Sequence, residues 1–253
     1  MTVTELYKFF CQYFPEEQRC EWDNDGIMVC PDSKAEVKKV LLTLDVTEEI
    51  VDYAIDRGFD LIISHHPLIF KPLKSVSEDN HVSRKVVKLI ANAISVFSFH
   101  TRADRAKGGV NDRLAEILGL ADTAPFGEDG LGRIGTLSEE YELEIFADAV
   151  KLALGADSVK VSDGYNSVRR VAVVGGDGKD FVADALRMGA DTFVSGRLSY
   201  NVMEDAADMG INLIEAGHYY TEIAITEYFS EIIARLDPNI YTEIADSNVI
   251  RTV

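Results

Sequence analysis

Cysteine is scarce in this 253-residue chain: Cys11, Cys20 and Cys30 are the only three, and no pair has C-x-x-C spacing. Three thiols cannot all pair, so neither a disulfide framework nor a thiolate metal site is indicated. Proline (six) and glycine (eighteen) sit at ordinary levels, which excludes collagen-like and low-complexity architectures. No apolar run approaches the ~18–20 residues of a membrane helix. The opening MTVTELYKFFCQYFPEE lacks the basic stretch and apolar core of a secretory signal, so the expected location is cytoplasmic. Basic residues are also short, 25 against 43 acidic, for a net charge of −18. Such a surface repels phosphate backbones, which disfavours nucleic acid as a partner. It says nothing against a small-molecule substrate whose charge a bound metal neutralises.

What the chain does have is apolar material, 47% of its residues, ample for a folded core. Apolar runs alternate with helix-length amphipathic stretches. Val40–Leu44 predicts a strand, Glu48–Asp56 a helix stopping at Gly58, Asp60–Ser64 a strand, 82–93 a helix and Ile94–Phe99 a strand. The order returns later: strand 171–174, a helix through Met188, strand 192–195, a helix over 201–209 and strand 211–214. Gly58-Phe59-Asp60-Leu61-Ile62-Ile63-Ser64 aligns with Gly189-Ala190-Asp191-Thr192-Phe193-Val194-Ser195. We read an internal duplication: two similar α/β units, each a mostly parallel sheet flanked by helices. The first domain is expected to comprise residues 1–126 plus 215–253 and the second 127–214. The turn cluster Gly127–Gly132 is the expected hinge.

Four of the five histidines, His65, His66, His100 and His218, follow apolar strands. That edge is where open α/β sheets bind ligands. Neighbouring residues of an extended chain point to opposite sides, and Pro67 favours an extended His66. His65 and His66 are therefore expected to diverge, one for each of two metal ions roughly 3.5–4 Å apart. His218 and Glu222 have i, i+4 spacing and can face one point if Tyr219 onward is helical; a surface ion pair is the alternative. Asp104 has the place of a bridging carboxylate, whereas Asn111 or Asp112 suits a helix N-cap. His100 suits a ligand or a residue that orients one. Gly175-Gly176-Asp177-Gly178 lacks the spacing of a phosphate-binding loop and reads as a tight turn. Trp22 reads as a packing anchor, with a stacking surface as the alternative.

Ser64-His65-His66-Pro67-Leu68-Ile69-Phe70-Lys71-Pro72-Leu73 resembles the signature of the Nif-three-like proteins, the GTP cyclohydrolase 1 type 2 homologues. Trp22–Gly26, Leu41–Thr47, Gly108–Asp112, Gly132–Gly135 and Ala216–Glu222 extend the likeness over most of the chain. The resemblance implies a two-domain α/β subunit, a dinuclear metal site between the domains held by His65, His66, Asp104, His218 and Glu222, and a toroidal homohexamer. Two departures, Arg102-Ala103 before the aspartate and Gly196-Arg197 with Asn201 in the second repeat, leave those ligands intact and bear on pocket charge. The resulting expectation is a dinuclear metal-dependent hydrolase acting on a small nucleotide-like or anionic substrate through a metal-activated water. The alternative is a non-enzymatic metal-binding or regulatory ring protein. Nitrogen and oxygen donors without thiolates suit two divalent ions drawn from Zn, Fe, Mn or Ni.

Overall fold

A computed structural model describes residues 1–127 and 130–253; Glu128 and Asp129 of the expected hinge lie outside the described residues. The chain runs α1 (Val3–Tyr13), β1 (Gly26–Val29), β2 (Lys39–Thr43), α2 (Glu48–Arg57), β3 (Leu61–Ser64), α3 (His81–Ala91), β4 (Ser95–Ser98) and α4 (Thr101–Arg105). It continues with α5 (Val110–Ile117), β5 (Ala121–Phe126), β6 (Gly132–Tyr141), α6 (Leu143–Leu154), β7 (Lys160–Ser162), β8 (Val168–Asp177), α7 (Val182–Arg187), β9 (Thr192–Arg197), α8 (Tyr200–Met209), β10 (Asn212–Glu215) and α9 (His218–Glu222). It closes with α10 (Ile225–Leu236) and β11 (Tyr241–Ile244).

Two units result, residues 1–106 with 225–248 and residues 107–224 with 249–253. The boundaries expected from sequence, 1–126 plus 215–253 and 127–214, fall elsewhere because pairing outweighs composition. Strand β5 bonds to β6 and carries residues 121–126 into the second unit, and α9 packs there on β8 and β9.

The first unit holds a five-stranded sheet, β1-β4-β3-β2-β11, parallel except for antiparallel β1. Its strands are apolar on both faces because both are covered. Leu41, Ile62 and Val96 meet Ile50, Val51 and Ala54 of α2 and Val86 and Leu89 of α3. In the same unit Phe10 and Phe14 of α1 and Phe229 of α10 cluster with Phe99, their ring centroids 5.2–6.1 Å from it. Helix α2 starts on the Thr47 hydroxyl and ends at Gly58, whose φ of +64° places it in the left-handed cap conformation glycine favours.

The second sheet, β5-β6-β8-β9-β10-β7, is mixed: β8, β9 and β10 are parallel, and the remaining pairings antiparallel. Along β8, Val171 and Val173 join α5 and α6 on one face, while Ala172 and Val174 join α7 and α8 on the other. Each unit thus contains three parallel strands whose middle member has a serine near its carboxyl end, Ser64 in register with Thr43 and Ser98 and Ser195 with Val174 and Glu215. Among the described residues no helix is long and apolar enough to cross a membrane.

Candidate functional site

In the first unit the chemistry collects beyond the carboxyl ends of β3 and β4. The Ser64 and Ser98 hydroxyls bond at 2.8 Å across the buried strand ends, fixing the segments that carry His65-His66 and His100. Beyond Ser64 the extended strand ceases, so the alternation that predicts divergence no longer applies. The His65 and His66 rings lie 4.9 Å apart, inclined by 51°, and His100 is 5.3 and 5.6 Å from them. The expected divergence is thereby replaced by convergence: the three offer one ring nitrogen each, all within 4.8 Å of one another.

Each imidazole is tethered through Nδ1. His65 Nδ1 is 2.9 Å from the Phe99 carbonyl, His66 Nδ1 2.8 Å from Asp45 Oδ1, and His100 Nδ1 2.8 Å from Asp23 Oδ1. Because Nδ1 donates its proton to those oxygens, Nε2 is the nitrogen through which each ring can coordinate. This is the arrangement that orients metal-ligating histidines and raises their basicity. His65 Nε2 lies 3.5 Å from Asp104 Oδ1 on α4, and both residues are buried.

Asp23 and Asp45 were not singled out in the sequence as partners of these rings, though each had a readable signal: Asp45 closes the first strand motif and Asp23 sits in the Trp22–Gly26 segment. Asp23 also accepts hydrogen bonds from the backbone N–H (3.1 Å) and hydroxyl (2.7 Å) of Thr101. Burial alone would push its carboxyl up. The bonds from His100 and Thr101 and the charge of His100 outweigh that and hold it at about 2. For His100, burial opposes protonation, but the bond to Asp23 and the charges of Asp104 and Asp23 prevail and raise its pKa.

Arg102 does not alter pocket charge, as the departure from the family pattern suggested. It is fully buried, donates from Nε to Asp25 (2.9 Å) and from Nη1 to the Phe14 carbonyl (3.0 Å), and lies 4.7 Å over the Phe99 ring. Arg197 is exposed on β9.

In the second unit His218 opens α9 and Glu222 closes it, with Nε2 and Oε2 3.1 Å apart. Glu222 is buried while His218 is 43% exposed, so the pair is anchored at its carboxylate end. Helix α9 ends there, and Glu227 belongs to α10.

The pair lies against a cradle of glycines. Gly175 and Gly176 belong to β8 rather than to a separate tight turn. A Cβ on Gly176, whose φ is +68°, would collide with Glu222 Oε1 and lie 3.2 Å from His218 Nε2; one on Gly196 would lie 2.8 Å from His218 Cα. Asn111 and Asp112 do not cap α5, whose N-cap is Gly109. Asn111 Oδ1 instead accepts the Gly175 N–H at 2.7 Å, fixing the glycine strand end beside Glu222. The first unit's Nδ1-bonded imidazoles with buried Asp104, and the second unit's His218 with buried Glu222 in its glycine cradle, are each nitrogen and oxygen donors of the kind divalent cations take.

Among known proteins, the profile described as Duf34/NIF3 (NGG1p interacting factor 3) matches residues 1–252. A protein of Clostridium perfringens named "GTP cyclohydrolase 1 type 2 homolog" is 36% identical over 95% of this chain and 94% of its own. A crystal structure of a hypothetical protein of Staphylococcus aureus superposes with a TM-score of 0.91 at 27% identity, covering 100% of this chain and 99% of its own. A Bacillus cereus protein related to NIF3 gives a TM-score of 0.89 at 26% identity, over 100% and 99% of the two chains. The chain belongs to the DUF34/NIF3 family.

Proposed function

We propose that this protein is a dinuclear metal-dependent hydrolase acting on a small nucleotide-like or anionic substrate. The carrying observation is the tethering of the clustered His65 and His66 imidazoles at Nδ1 by the Phe99 carbonyl and Asp45, since orienting bonds of this kind serve ligands rather than packing. The ligands in this reading are His65, His66 and Asp104 of the first unit and His218 and Glu222 of the second. Two divalent ions would supply Lewis acidity and a water whose pKa is lowered toward ~7.

The chain's own residues do the positioning. Asp45 and the Phe99 carbonyl hold the imidazoles of His66 and His65 in one tautomer. Asp104 and Glu222 supply the negative charge that close cations require. Asn111 and the glycines of β8 keep the Glu222 carboxylate from being displaced by a neighbouring side chain. The relatives' name points toward a nucleotide as substrate. The reading includes assembly into a toroidal homohexamer, which light scattering tests. It also includes a cytoplasmic setting, in keeping with three free thiols.

The deciding experiment is elemental analysis of metal per subunit for the wild type, Glu222→Gln and Glu227→Gln after identical dialysis, paired with turnover of a nucleotide panel by the wild type and His66→Ala. The reading expects two equivalents in the wild type, at least one lost in Glu222→Gln, none lost in the exposed control Glu227→Gln, and turnover abolished in His66→Ala. One equivalent at saturating metal refutes the dinuclear centre. Full metal without turnover favours a binding or regulatory protein.

A further inference from the structure

Trp22 is the only tryptophan of the chain, and it is not a packing anchor. It is 64% exposed and meets Phe70, itself 45% exposed, edge-on at 6.2 Å. Both rings also meet His100 edge-on, at 6.2 and 6.4 Å. An indole left in water forgoes a large burial gain, yet this one stands on a firmly held loop. Its neighbour Asp23 is buried and bonded to His100 and Thr101. Asn24 Nδ2 donates to the Ile69 carbonyl, fastening the Trp22 loop to the Phe70 loop. Asp25 is paired with buried Arg102. The first unit therefore presents a two-ring aromatic step beside its histidine cluster.

Phe70 also borders a cavity of about 530 Å³, lined further by Lys71, Lys74, Ser75 and His81, within the size range of small-ligand pockets. In a chain of net charge −18, Lys38, Lys88, Lys160 and Lys179 have their charge met by a carboxylate. Lys71 and Lys74 form no ion pair with any described residue. The backbone N–H groups that open α3 at the cavity's edge are already capped by the Asn80 side chain. The positive charge of the cavity is thus carried by the two lysines.

We propose that the first unit binds a flat aromatic heterocycle bearing a phosphate, a nucleoside monophosphate in class. Its ring stacks on the Trp22–Phe70 step and its phosphate enters the Lys71/Lys74 cavity. Aromatic faces accept any base, and ammonium groups attract phosphate as point charges. The proposal rests on the hydrolase reading only in placing the ring beside the histidines; the binding itself needs no metal.

The test is titration of EDTA-stripped full-length protein with AMP, GMP, adenosine, guanosine and inorganic phosphate. Trp22 emission reports ring stacking, and calorimetry covers any binding without quenching. The monophosphates are expected to quench emission and to bind about tenfold more tightly than the nucleosides. Lys71→Ala/Lys74→Ala should erase that ratio while leaving nucleoside affinity unchanged. Phe70→Ala should weaken nucleoside and nucleotide alike, by about fivefold or more. Nucleosides binding as tightly as monophosphates, a ratio that survives the double lysine variant, or inorganic phosphate as the only ligand would each overturn the proposal. So would a Phe70→Ala variant that changes oligomeric mass with ligand affinity intact, since the step would then be a contact between copies. Metal per subunit is measured on the same preparations. Monophosphate binding without metal uptake refutes the hydrolase reading alone, and metal uptake without monophosphate binding refutes the subsite alone.

Discussion

Replacing Gly176 by alanine separates the cost of backbone strain from the loss of a ligand. The residue has φ +68°, where an L side chain costs roughly 1–2 kcal/mol. The added Cβ also collides with Glu222 Oε1. That oxygen is the far end of a flexible side chain, so the fold yields cheaply, but the carboxylate must retreat by roughly 1 Å to regain ordinary contact. Metal centres tolerate about 0.2–0.5 Å of ligand displacement. Gly176→Ala should therefore lower Tm by about 2–8 °C, taking 2–4 °C per kcal/mol for a chain of this size, and should lose at least one equivalent of metal. Gly155→Ala is the matched control: φ is +64° and nothing lies within 4 Å of its Cβ. It should show the same thermal shift with metal content intact. The assay is a thermal melt of metal-free protein together with elemental analysis after dialysis. Wild-type metal content in Gly176→Ala would refute the reasoning, as would equal metal loss in Gly155→Ala.

Other expectations follow from neighbouring residues. Arg102→Met removes the buried cation of Asp25 and leaves it only Arg19 at 3.9 Å, and urea denaturation should show about 3 kcal/mol of destabilisation, partly recovered by adding Asp25→Asn. Asp23 is held at about 2 in the folded protein, below the ordinary aspartate value. Its stabilisation is therefore fully present above about pH 4 and lost as pH falls from there through 2, on the order of 2 kcal/mol. Acid unfolding of metal-free Asp23→Asn, followed by circular dichroism, should lack that limb. Asp45→Asn weakens the Nδ1 tether of His66, and competition with a chelator should show about 10–100-fold lower metal affinity with unchanged thermal stability.

Much of this protein follows from local pattern. Strand runs, the Gly58 stop and the placing of His65, His66, His100 and His218 beyond strand ends all depend on side-chain periodicity and turn chemistry within a few residues, which a sequence displays directly. The i, i+4 spacing of His218 and Glu222 also survives intact, because helix geometry alone brings the pair to 3.1 Å. What only the tertiary structure decided involves partners distant along the chain. Strand pairing set the unit boundaries, since hydrogen bonding draws β5 to β6 whatever the composition at residue 126. The bend after Ser64 turned expected divergence of two imidazoles into convergence. Asp23 is 77 residues from His100, Asn111 is 64 from Gly175, and Arg102 is 77 from Asp25. Such pairings carry no periodic signature, because they are fixed by which buried polar group must be satisfied once the sheets have packed.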